Sequence, residues 1–289
     1  MGRQWHLLVI LTVFAAAATL AADGPHFVSP SKFWGQLVYQ VKPLKPEKVV
    51  ALTFDDGPWG ASTRQVLQIL KEEEVKATFF ILGKHALMYP DLIAEIVKAG
   101  HAVGNHSWSH PYQPVDPKVA KQEIENTSAL IAKQSQAQTR LFRPPGGNLT
   151  TGLVDYAKSK NYAIIMWSVD AHDSRSNTTA ADIVERTLKA VKPGSIILLH
   201  DGGGDRATTR RALPTLIRRL RQKGYRFVTV PELLQLAVKA PPPKPEPTPT
   251  PQPTITPTPT PEGLPTPELT PSSPSRSERQ WQPRSMLPH

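Results

Sequence analysis

Hydrophobic and polar positions along the middle of the chain predict strands and helices in turn. Short, almost wholly apolar runs bounded by polar residues or glycine predict buried strands. We place them at Val49–Phe54, Ala77–Leu82, Ala102–Gly104, Leu141–Arg143, Ala163–Val169, Ser195–Leu199 and Arg226–Val230. Between them, apolar residues recur three and four positions apart, which indicates amphipathic helices. These helices are predicted at Thr63–Glu73, Asp91–Ala99, Pro117–Gln134, Thr151–Lys160, Ala180–Val191 and Arg206–Lys223.

The alternation of strands and helices predicts parallel strands joined by helical crossovers. The region that carries it, residues 47–240, has the usual size of one α/β domain. We therefore predict an α/β fold, a deformed (β/α) barrel of about seven parallel strands. An open doubly wound sheet is the alternative.

Both ends of the 289-residue chain differ from this middle region. Residues 1–22 combine a basic start at Arg3 with an apolar run over Leu7–Leu20, which predicts a signal peptide cleaved between Ala18 and Asp23. A retained membrane anchor is the alternative, but the run falls short of the roughly 20 residues that a spanning helix needs. Residues 23–46 are predicted to be a lead-in arm. Residues 241–289 alternate Pro and Thr with few large apolar residues, which predicts a disordered tail.

Composition narrows the chemistry and the partners. The chain has no Cys, so any zinc site would use His and carboxylate ligands. Its net charge of +10 predicts attraction to anionic polymers of a cell envelope. Much of this charge lies in Arg206–Arg226, where the apolar spacing places the basic residues on the outer face of a helix. We expect a secreted monomer that does not bind nucleic acid, since no nucleic-acid-binding motif is present.

Unusual polar residues follow the predicted strands at the points where the strands end. Because the carboxyl ends of parallel barrel strands lie on one rim, we expect these residues to form a single site. They are Asp55 and Asp56, His106 and His110, Arg143, the segment from Asp170 to Asp173, and His200 with Asp201.

Two histidines suggest a metal site. His106 and His110 are four residues apart, and one helical turn would place both imidazoles on the same side. Alone, this spacing is just as typical of structural histidines. With a carboxylate from another strand end it predicts a two-His, one-carboxylate site with room for water. A divalent cation would also offset one of the adjacent charges of Asp55 and Asp56, leaving the other free to act.

Five segments in order carry a family resemblance: "TFDDGP", "HSWSH", "RPPGG", "WSVDAHD" and "ILLHDGGGD". They resemble the motifs of the polysaccharide deacetylases, the NodB-homology enzymes of carbohydrate esterase family four, over Val49 to about Leu236. The resemblance implies a deformed (β/α) barrel and metal-dependent removal of acetyl groups from N-acetylated sugar polymers. Peptidoglycan is our first candidate, because an exported protein with a Pro/Thr spacer suits a cell envelope. Chitin oligomers and acetylated xylan are the alternatives.

The resemblance also implies a role for each residue on the metal side of the site. One divalent ion would be bound, zinc first, with cobalt or nickel as alternatives. Its ligands would be Asp56, His106 and His110. Asp55 would be the general base toward the attacking water, and Arg143 would keep it ionised and oriented.

On the leaving-group side, the resemblance implies that His200 is the general acid. It would protonate the departing amine, and Asp173 would favour its protonated form. The backbone N–H of Gly146 would complete an oxyanion hole. Leu198 would border the pocket for the acetyl methyl group.

Two positions depart from the family pattern. Ser174 follows Asp173 where the family usually has Trp, and Gly146 stands where many members have Tyr. Both changes remove bulk from one wall of the acetyl pocket, which predicts a wider pocket or one filled by Trp59, Trp167 or another residue. Two other functions are alternatives: a carbohydrate-binding module without turnover, and a different carbon–nitrogen hydrolase on the same scaffold. The presence of the acid–base pair argues against the first, and the complete ligand set argues against the second.

Overall fold

The computed structural model describes residues 24–239, which fold around a parallel sheet with helices. The strands are β1 His26–Phe27, β2 Leu37–Val38, β3 Val49–Gly57, β4 Thr78–Ile81, β5 Ala102–Asn105, β6 Gln138–Thr139, β7 Leu141–Phe142, β8 Ala163–Ile165, β9 Val169–Asp170, β10 Ser195–His200 and β11 Arg226–Phe227. The α-helices are α1 Gly60–Glu72, α2 Gly83–Met88, α3 Pro90–Lys98, α4 Pro117–Ser135, α5 Leu153–Ser159, α6 Ala180–Ala190, α7 Ala207–Gln222 and α8 Val230–Gln235. Two 3₁₀ turns lie at Ser31–Phe33 and Pro145–Gly147.

Nine of these strands form one sheet, in the order β2-β8-β7-β5-β4-β3-β10-β9, with β11 beside β3. Every ladder in it is parallel. The strands β1 and β6 form a separate parallel pair. This curled parallel sheet with helical crossovers confirms the predicted deformed (β/α) barrel.

The central strand β3 explains how the core and the site are connected. Val50, Leu52 and Phe54 are fully buried in the core cluster shared with α1, α6 and α7. Val49 and Ala51 point to the other side of the sheet, into a second buried cluster. Burial on both faces is what a parallel strand requires and is why this run is almost wholly apolar. The strand therefore holds Asp55 and Asp56 in a fixed place at its carboxyl end, which extends to Gly57, beyond the predicted end at Phe54.

The predicted strand over Ala163–Val169 is two strands in the structure. The first, β8, pairs with β7 and β2, and the second, β9, pairs with β10. The carbonyls of Ile165 and Met166, at the break, accept hydrogen bonds from the Arg143 guanidinium. A charged side chain thus takes over acceptors that a continuous ladder would use, which sequence periodicity does not reveal.

Other differences lie at short elements. Leu37–Val38, within the predicted arm, forms β2 and joins the main sheet. The predicted strand over Arg226–Val230 ends at Phe227, because Thr229 and Glu232 form the capping box that begins α8. The short helices α2 and α8 were not predicted.

The predicted signal peptide and Pro/Thr-rich tail lie outside residues 24–239. Across that part of the chain, no helix is long and apolar enough to cross a membrane.

Candidate metal and acid–base site

A cleft of about 680 Å³ lies at the carboxyl ends of β3, β5 and β10. Seven of the nine predicted site residues line it: Asp55, Asp56, His106, His110, Gly146, Leu198 and His200. The other two lie directly behind the cleft, Arg143 bonded to Asp55 and Asp173 bonded to His200. The structure therefore brings all nine residues together.

Asp55 is held by a buried arginine. Arg143 Nη1 donates to Asp55 Oδ1 at 2.7 Å and to Thr53 Oγ1 at 2.8 Å. The remaining nitrogens of the guanidinium donate to the carbonyls of Ile165 at 3.0 Å and Met166 at 3.1 Å. Burial lowers the pKa of Arg143, and the charge of Asp55 opposes that shift. This network fixes one oxygen of Asp55 and leaves Oδ2 on the cleft side, 3.7 Å from the nearer histidine, His106.

Asp56 reaches the same cleft because the backbone leaves the extended conformation there. Successive side chains of a regular strand point to opposite faces, whereas Asp56 has a φ of 68°. His85 Nδ1 lies 2.7 Å from the Asp56 carbonyl oxygen. Since that oxygen only accepts, His85 must donate from Nδ1, which fixes its tautomer. His85 thereby holds the left-handed turn that puts two neighbouring carboxylates on one side.

His106 and His110 lie in a loop, so the helical turn considered for this spacing is wrong. His106 directly follows β5, and the backbone turns back through left-handed conformations at Ser107, φ 73°, and His110, φ 64°. Ser107 Oγ accepts from the His110 N–H at 3.0 Å and closes this turn. Asn105 Oδ1 accepts from the Ser107 N–H at 2.8 Å. Local polar contacts, rather than helical periodicity, bring the two imidazoles together.

The donor set fits one divalent cation. Asp56 Oδ1 lies 3.5 Å from His106 Nε2 and 3.4 Å from His110 Nε2. Four ligands around a zinc-sized ion with bonds of about 2.0–2.1 Å lie about 3.3 Å apart, close to these separations. His106 Nδ1 also donates to the Arg143 carbonyl at 2.8 Å, which leaves Nε2 as the ligand atom.

The pKa values of these three groups are shifted in different directions. Burial opposes ionisation of Asp56, but hydrogen bonding and charge from His106 and the other histidines hold its pKa well below the usual range. Burial likewise opposes a charge on His106, yet Asp55 and Asp56 raise its pKa. Burial and the charge of His106 lower the pKa of His110 to about 4. Binding of a cation here would compete with protons on these groups and would therefore depend on pH.

His200, at the end of β10, is held by Asp173. Its Nδ1 and its backbone N–H each donate to one oxygen of that carboxylate, both at 2.8 Å. Thr209 Oγ1 donates to the same carboxylate at 2.7 Å. Burial opposes a charge on His200, but the bond to Asp173 raises its pKa to about 9. With Nδ1 engaged, the remaining ring proton is on Nε2, at the cleft.

Asp201 supports the carboxyl end of β3 from behind. It is fully buried; its backbone N–H donates to the Asp55 carbonyl at 3.2 Å, and Thr63 Oγ1 donates to its Oδ2 at 2.5 Å. Burial raises the pKa of Asp201 to about 7. A Cβ at Gly57 would collide with this carboxylate, so the "DDGP" turn requires glycine there.

The predicted acetyl pocket is bordered by aromatic rings, among them Trp167, which was one of the candidates named from the sequence. Ser174 and Gly146 both line the cleft, and Gly146 has a φ of 58°. A Cβ on Gly146 would lie 3.2 Å from the ring of Tyr112. Trp167 lines the same cleft and packs against Gly147. The space left by the missing bulk is therefore bordered by Tyr112 and Trp167.

Three residues that contact the site were not predicted from the sequence: His85, Thr209 and Arg206. Trp59 was considered and does line the cleft, with its ring 4.7 Å from that of His85. His85 and Thr209 were not found, since each acts through one contact made only in the folded chain. Arg206 was assigned to a solvent-exposed helix face, but it lines the cleft. A count of polar residues in the segments that follow strands would have included His85 and Arg206.

Comparison with known proteins agrees with this geometry. A family model described as polysaccharide deacetylase matches residues 42–165. The peptidoglycan-N-acetylglucosamine deacetylase of Bacillus cereus is 39% identical over 193 residues, which cover 65% of this chain and 89% of that protein.

Two solved structures share the fold. The crystal structure of a peptidoglycan N-acetylglucosamine deacetylase in complex with 4-naphthalen-1-yl-N-oxidanyl-benzamide has a TM-score of 0.65 and 35% identity, covering 71% of this chain and 94% of that one. A family 4 acetyl xylan esterase from Clostridium thermocellum, in complex with a cobalt ion, has a TM-score of 0.60 and 35% identity, covering 65% and 91%. With its site residues gathered on this fold, the chain belongs to the polysaccharide deacetylase family.

Proposed function

We propose that the protein hydrolyses acetyl groups from N-acetylated sugar polymers and releases acetate, with peptidoglycan as the first substrate. One observation carries this proposal: a buried carboxylate, a three-ligand metal site and a carboxylate-bound histidine face one cleft. Hydrolysis of an amide needs a base for water, an electrophile for the carbonyl and an acid for the amine. The cleft offers a group for each task.

Asp55 is the proposed base. Its Oδ1 is occupied by Arg143, so its Oδ2 accepts the proton of the attacking water as the oxygen bonds to the acetyl carbon. The hydrogen bond from the fully buried Arg143 fixes that carboxylate in position. The N–H of Gly146, on the cleft wall, is proposed to donate to the carbonyl oxygen as negative charge develops there.

His200 is the proposed acid. When the carbon–nitrogen bond breaks, its Nε2–H donates a proton to the amine, which is too basic to leave without one. Asp173 fixes the ring through Nδ1 and stabilises the charged form before the reaction. Leu198, only 5% exposed, is proposed to contact the acetyl methyl group from the floor of the cleft.

A divalent ion is proposed to be bound by Asp56, His106 and His110. When bound, it supplies a Lewis acid that acidifies water and polarises the acetyl carbonyl. Two nitrogens and one carboxylate oxygen at near-tetrahedral separations favour zinc, with cobalt or nickel as alternatives.

The terminal segments and the net charge support a proposal for where the protein acts. We propose that residues 1–22 direct export, that 47–240 form the catalytic domain, and that 241–289 are a spacer within a cell envelope. The net charge of +10 supports attraction to anionic envelope polymers. The protein is proposed to act as a secreted monomer.

Acetate release from a panel of polymers tests the function. The metal-loaded protein should release acetate from peptidoglycan, chitin oligomers or acetylated xylan, and Asp55→Asn should lose this release while keeping the metal. Binding of polymer without acetate release by the loaded wild type would instead indicate a non-catalytic module. The matched control is Asp155→Asn, a change of the same kind on the exposed side of α5, which should behave as wild type.

A further inference from the structure

The cleft carries two cationic side chains that the acid–base chemistry does not use, Lys84 and Arg206. Within residues 24–239, the only acidic side chains that line the cleft are Asp55 and Asp56. The charge of Asp55 is matched by Arg143, and Asp56 belongs to the proposed metal site. The rim of the cleft is therefore cationic, with no acidic residue of its own to balance it.

Arg206 is held in place by neutral groups. Its Nε donates to the Gly202 carbonyl at 2.6 Å and its Nη2 to the Gly203 carbonyl at 3.2 Å. The neighbouring acid, Asp205, does not pair with it but turns toward Arg210, at 3.4 Å. The guanidinium thus has a fixed position, no carboxylate paired with it and further N–H groups to donate. These are the properties of an anion-binding site.

This guanidinium lies close to the reacting centre. Gly203 has a φ of 73°, and a Cβ built there would be 2.8 Å from Asp56 Oδ2 and 3.2 Å from Arg206 Nη2. The metal-site carboxylate and the guanidinium therefore flank the same glycine. An anion bound by Arg206 would therefore lie close to the proposed metal site and could belong to the same strand of polymer as the acetyl group.

Lys84 belongs to a different wall of the cleft. Its Nζ donates to the Ser109 carbonyl at 3.3 Å, within the loop that carries His106 and His110. Since Lys84 is exposed, its charge is screened more than that of Arg206. It is suited to guide an anionic strand rather than to fix one group.

We propose that Arg206, assisted by Lys84, recognises a carboxylate borne by the sugar strand next to the acetylated unit. This inference rests on the proposed function and narrows its substrate class from N-acetylated glycans in general to carboxylate-bearing ones. An arginine fork pairs with a carboxylate through two parallel N–H bonds, whereas a neutral strand offers the guanidinium no negative charge. The carboxylate has three sources: a lactyl ether on the sugar, a peptide stem, or a hexuronate.

Matched substrate pairs test this inference with the whole, metal-loaded protein. Acetate release is measured from peptide-free alternating N-acetylglucosamine–N-acetylmuramic acid oligomers as free acids and as methyl esters. The same comparison is made with peptide-bearing oligomers and with acetylated glucuronoxylan oligomers. For at least one pair, kcat/KM should be about 3- to 10-fold higher for the free acid, as expected for a partly exposed charged hydrogen bond. The preference should shrink as salt is added.

Three variants assign the preference to residues. Arg206→Gln should bring the acid-to-ester ratio close to one, and Arg206→Lys should keep part of it. Lys133→Gln removes an exposed cation near the end of α4, outside the cleft, and should keep the wild-type ratio. If Arg206→Gln does not fold, the comparison of acid with ester in the wild type and in Arg206→Lys decides the question.

The outcomes separate this inference from the function on which it rests. Equal kcat/KM for acid and ester in every pair, with acetate released, overturns the inference and leaves the deacetylase function standing. A preference that survives Arg206→Gln overturns the assignment to Arg206. No acetate from any substrate, neutral chitin oligomers included, overturns the proposed function itself. The pair that shows the preference identifies the source of the carboxylate.

Discussion

The two carboxylates that end the central strand are neighbours in sequence, yet the protein holds them in opposite ways. Asp55 is bonded to a fully buried arginine that itself has four hydrogen-bond acceptors. Asp56 lies in a left-handed turn and faces His106 and His110 at 3.5 and 3.4 Å. The base half of the site, Asp55 with Arg143, has its own positive charge, whereas the metal half, Asp56 with the two histidines, has the ligand geometry for a divalent ion. The positive partner of the proposed base is thus a side chain, whereas that of the proposed ligands would be a metal ion.

The largest effects are expected from single substitutions that remove either the proposed base or one metal ligand. Asp55→Asn should lower kcat by about 10²–10⁴-fold, because the proposed general base is lost, while about one equivalent of metal stays bound. His110→Ala should lose the metal and with it the activity. Elemental analysis and acetate release, measured on the same samples, check both variants. Loss of metal from Asp55→Asn with retention in His110→Ala would reverse the assignment.

Asp173→Asn should change the proposed general acid, His200, without altering the base half or the metal half. The bond to Asp173 raises the pKa of His200 to about 9, so removal of that charge lowers this pKa. Since the protonated form is the proposed donor to the amine, the basic limb of the pH–rate profile should move to lower pH. A dication at Asp56 opposes the charge of His200, so the limb in the loaded enzyme should lie below pH 9.

The same variant makes a prediction for stability. A folded pKa above the ordinary value of 6.5 means that the pair stabilises the fold fully below pH 6.5 and loses this effect as pH rises through about 9. The difference in unfolding free energy between wild type and Asp173→Asn should therefore shrink over that interval. A difference that stays constant from pH 6 to pH 10 would separate Asp173 from the charge of His200.

A substitution of His85 tests whether metal affinity depends on residues that contact the ligands but do not bind the metal. His85→Leu removes the donor to the Asp56 carbonyl and should weaken metal binding about tenfold, as loss of an outer contact typically does. His101→Leu is the matched control, since His101 is also buried but bonds to the Ala77 N–H instead. Competition with a chelator measures both affinities. Equal affinities in the two variants would show that His85 only fills space.

The smallest expected effect concerns the acetyl pocket. Each poorly buried methylene-sized volume is worth about 0.8 kcal/mol, or about fourfold in binding. Ser174→Trp should therefore lower the rate with propionyl relative to acetyl substrates about fourfold. Ser176→Trp, on the exposed turn two residues on, should leave the ratio unchanged. An unaltered ratio in Ser174→Trp would mean that Tyr112 and Trp167 already close the pocket.

The order of buried strands and the site residues at their ends could be predicted because each rests on a local signal. An apolar run that stops at a carboxylate marks both the strand and the rim of the sheet, as it does for Val49–Phe54 and Asp55. The break between β8 and β9 could not, because it depends on a guanidinium that arrives from another strand.

The loop conformation of the segment that carries the two histidines could not be predicted from the sequence either. The spacing of His106 and His110 suits a helix, and only the left-handed backbone at Ser107 and His110 rules it out. Such conformations in residues other than glycine are set by contacts made on folding, here the side chains of Ser107 and Asn105. Arg206 was misjudged for a related reason, since its hydrogen bonds to the carbonyls of Gly202 and Gly203 turn it from the helix face toward the cleft.

Titration of the metal-free protein with zinc, with acetate release from an N-acetylated oligomer followed at each step, tests the central claim most directly. We predict that the rate rises with added zinc and reaches a plateau at one equivalent, because one Asp–His–His set is present among residues 24–239. Cobalt should reach its plateau at the same equivalence. A rate that is full before any metal is added, or that stays at zero beyond one equivalent with every substrate, would contradict the account.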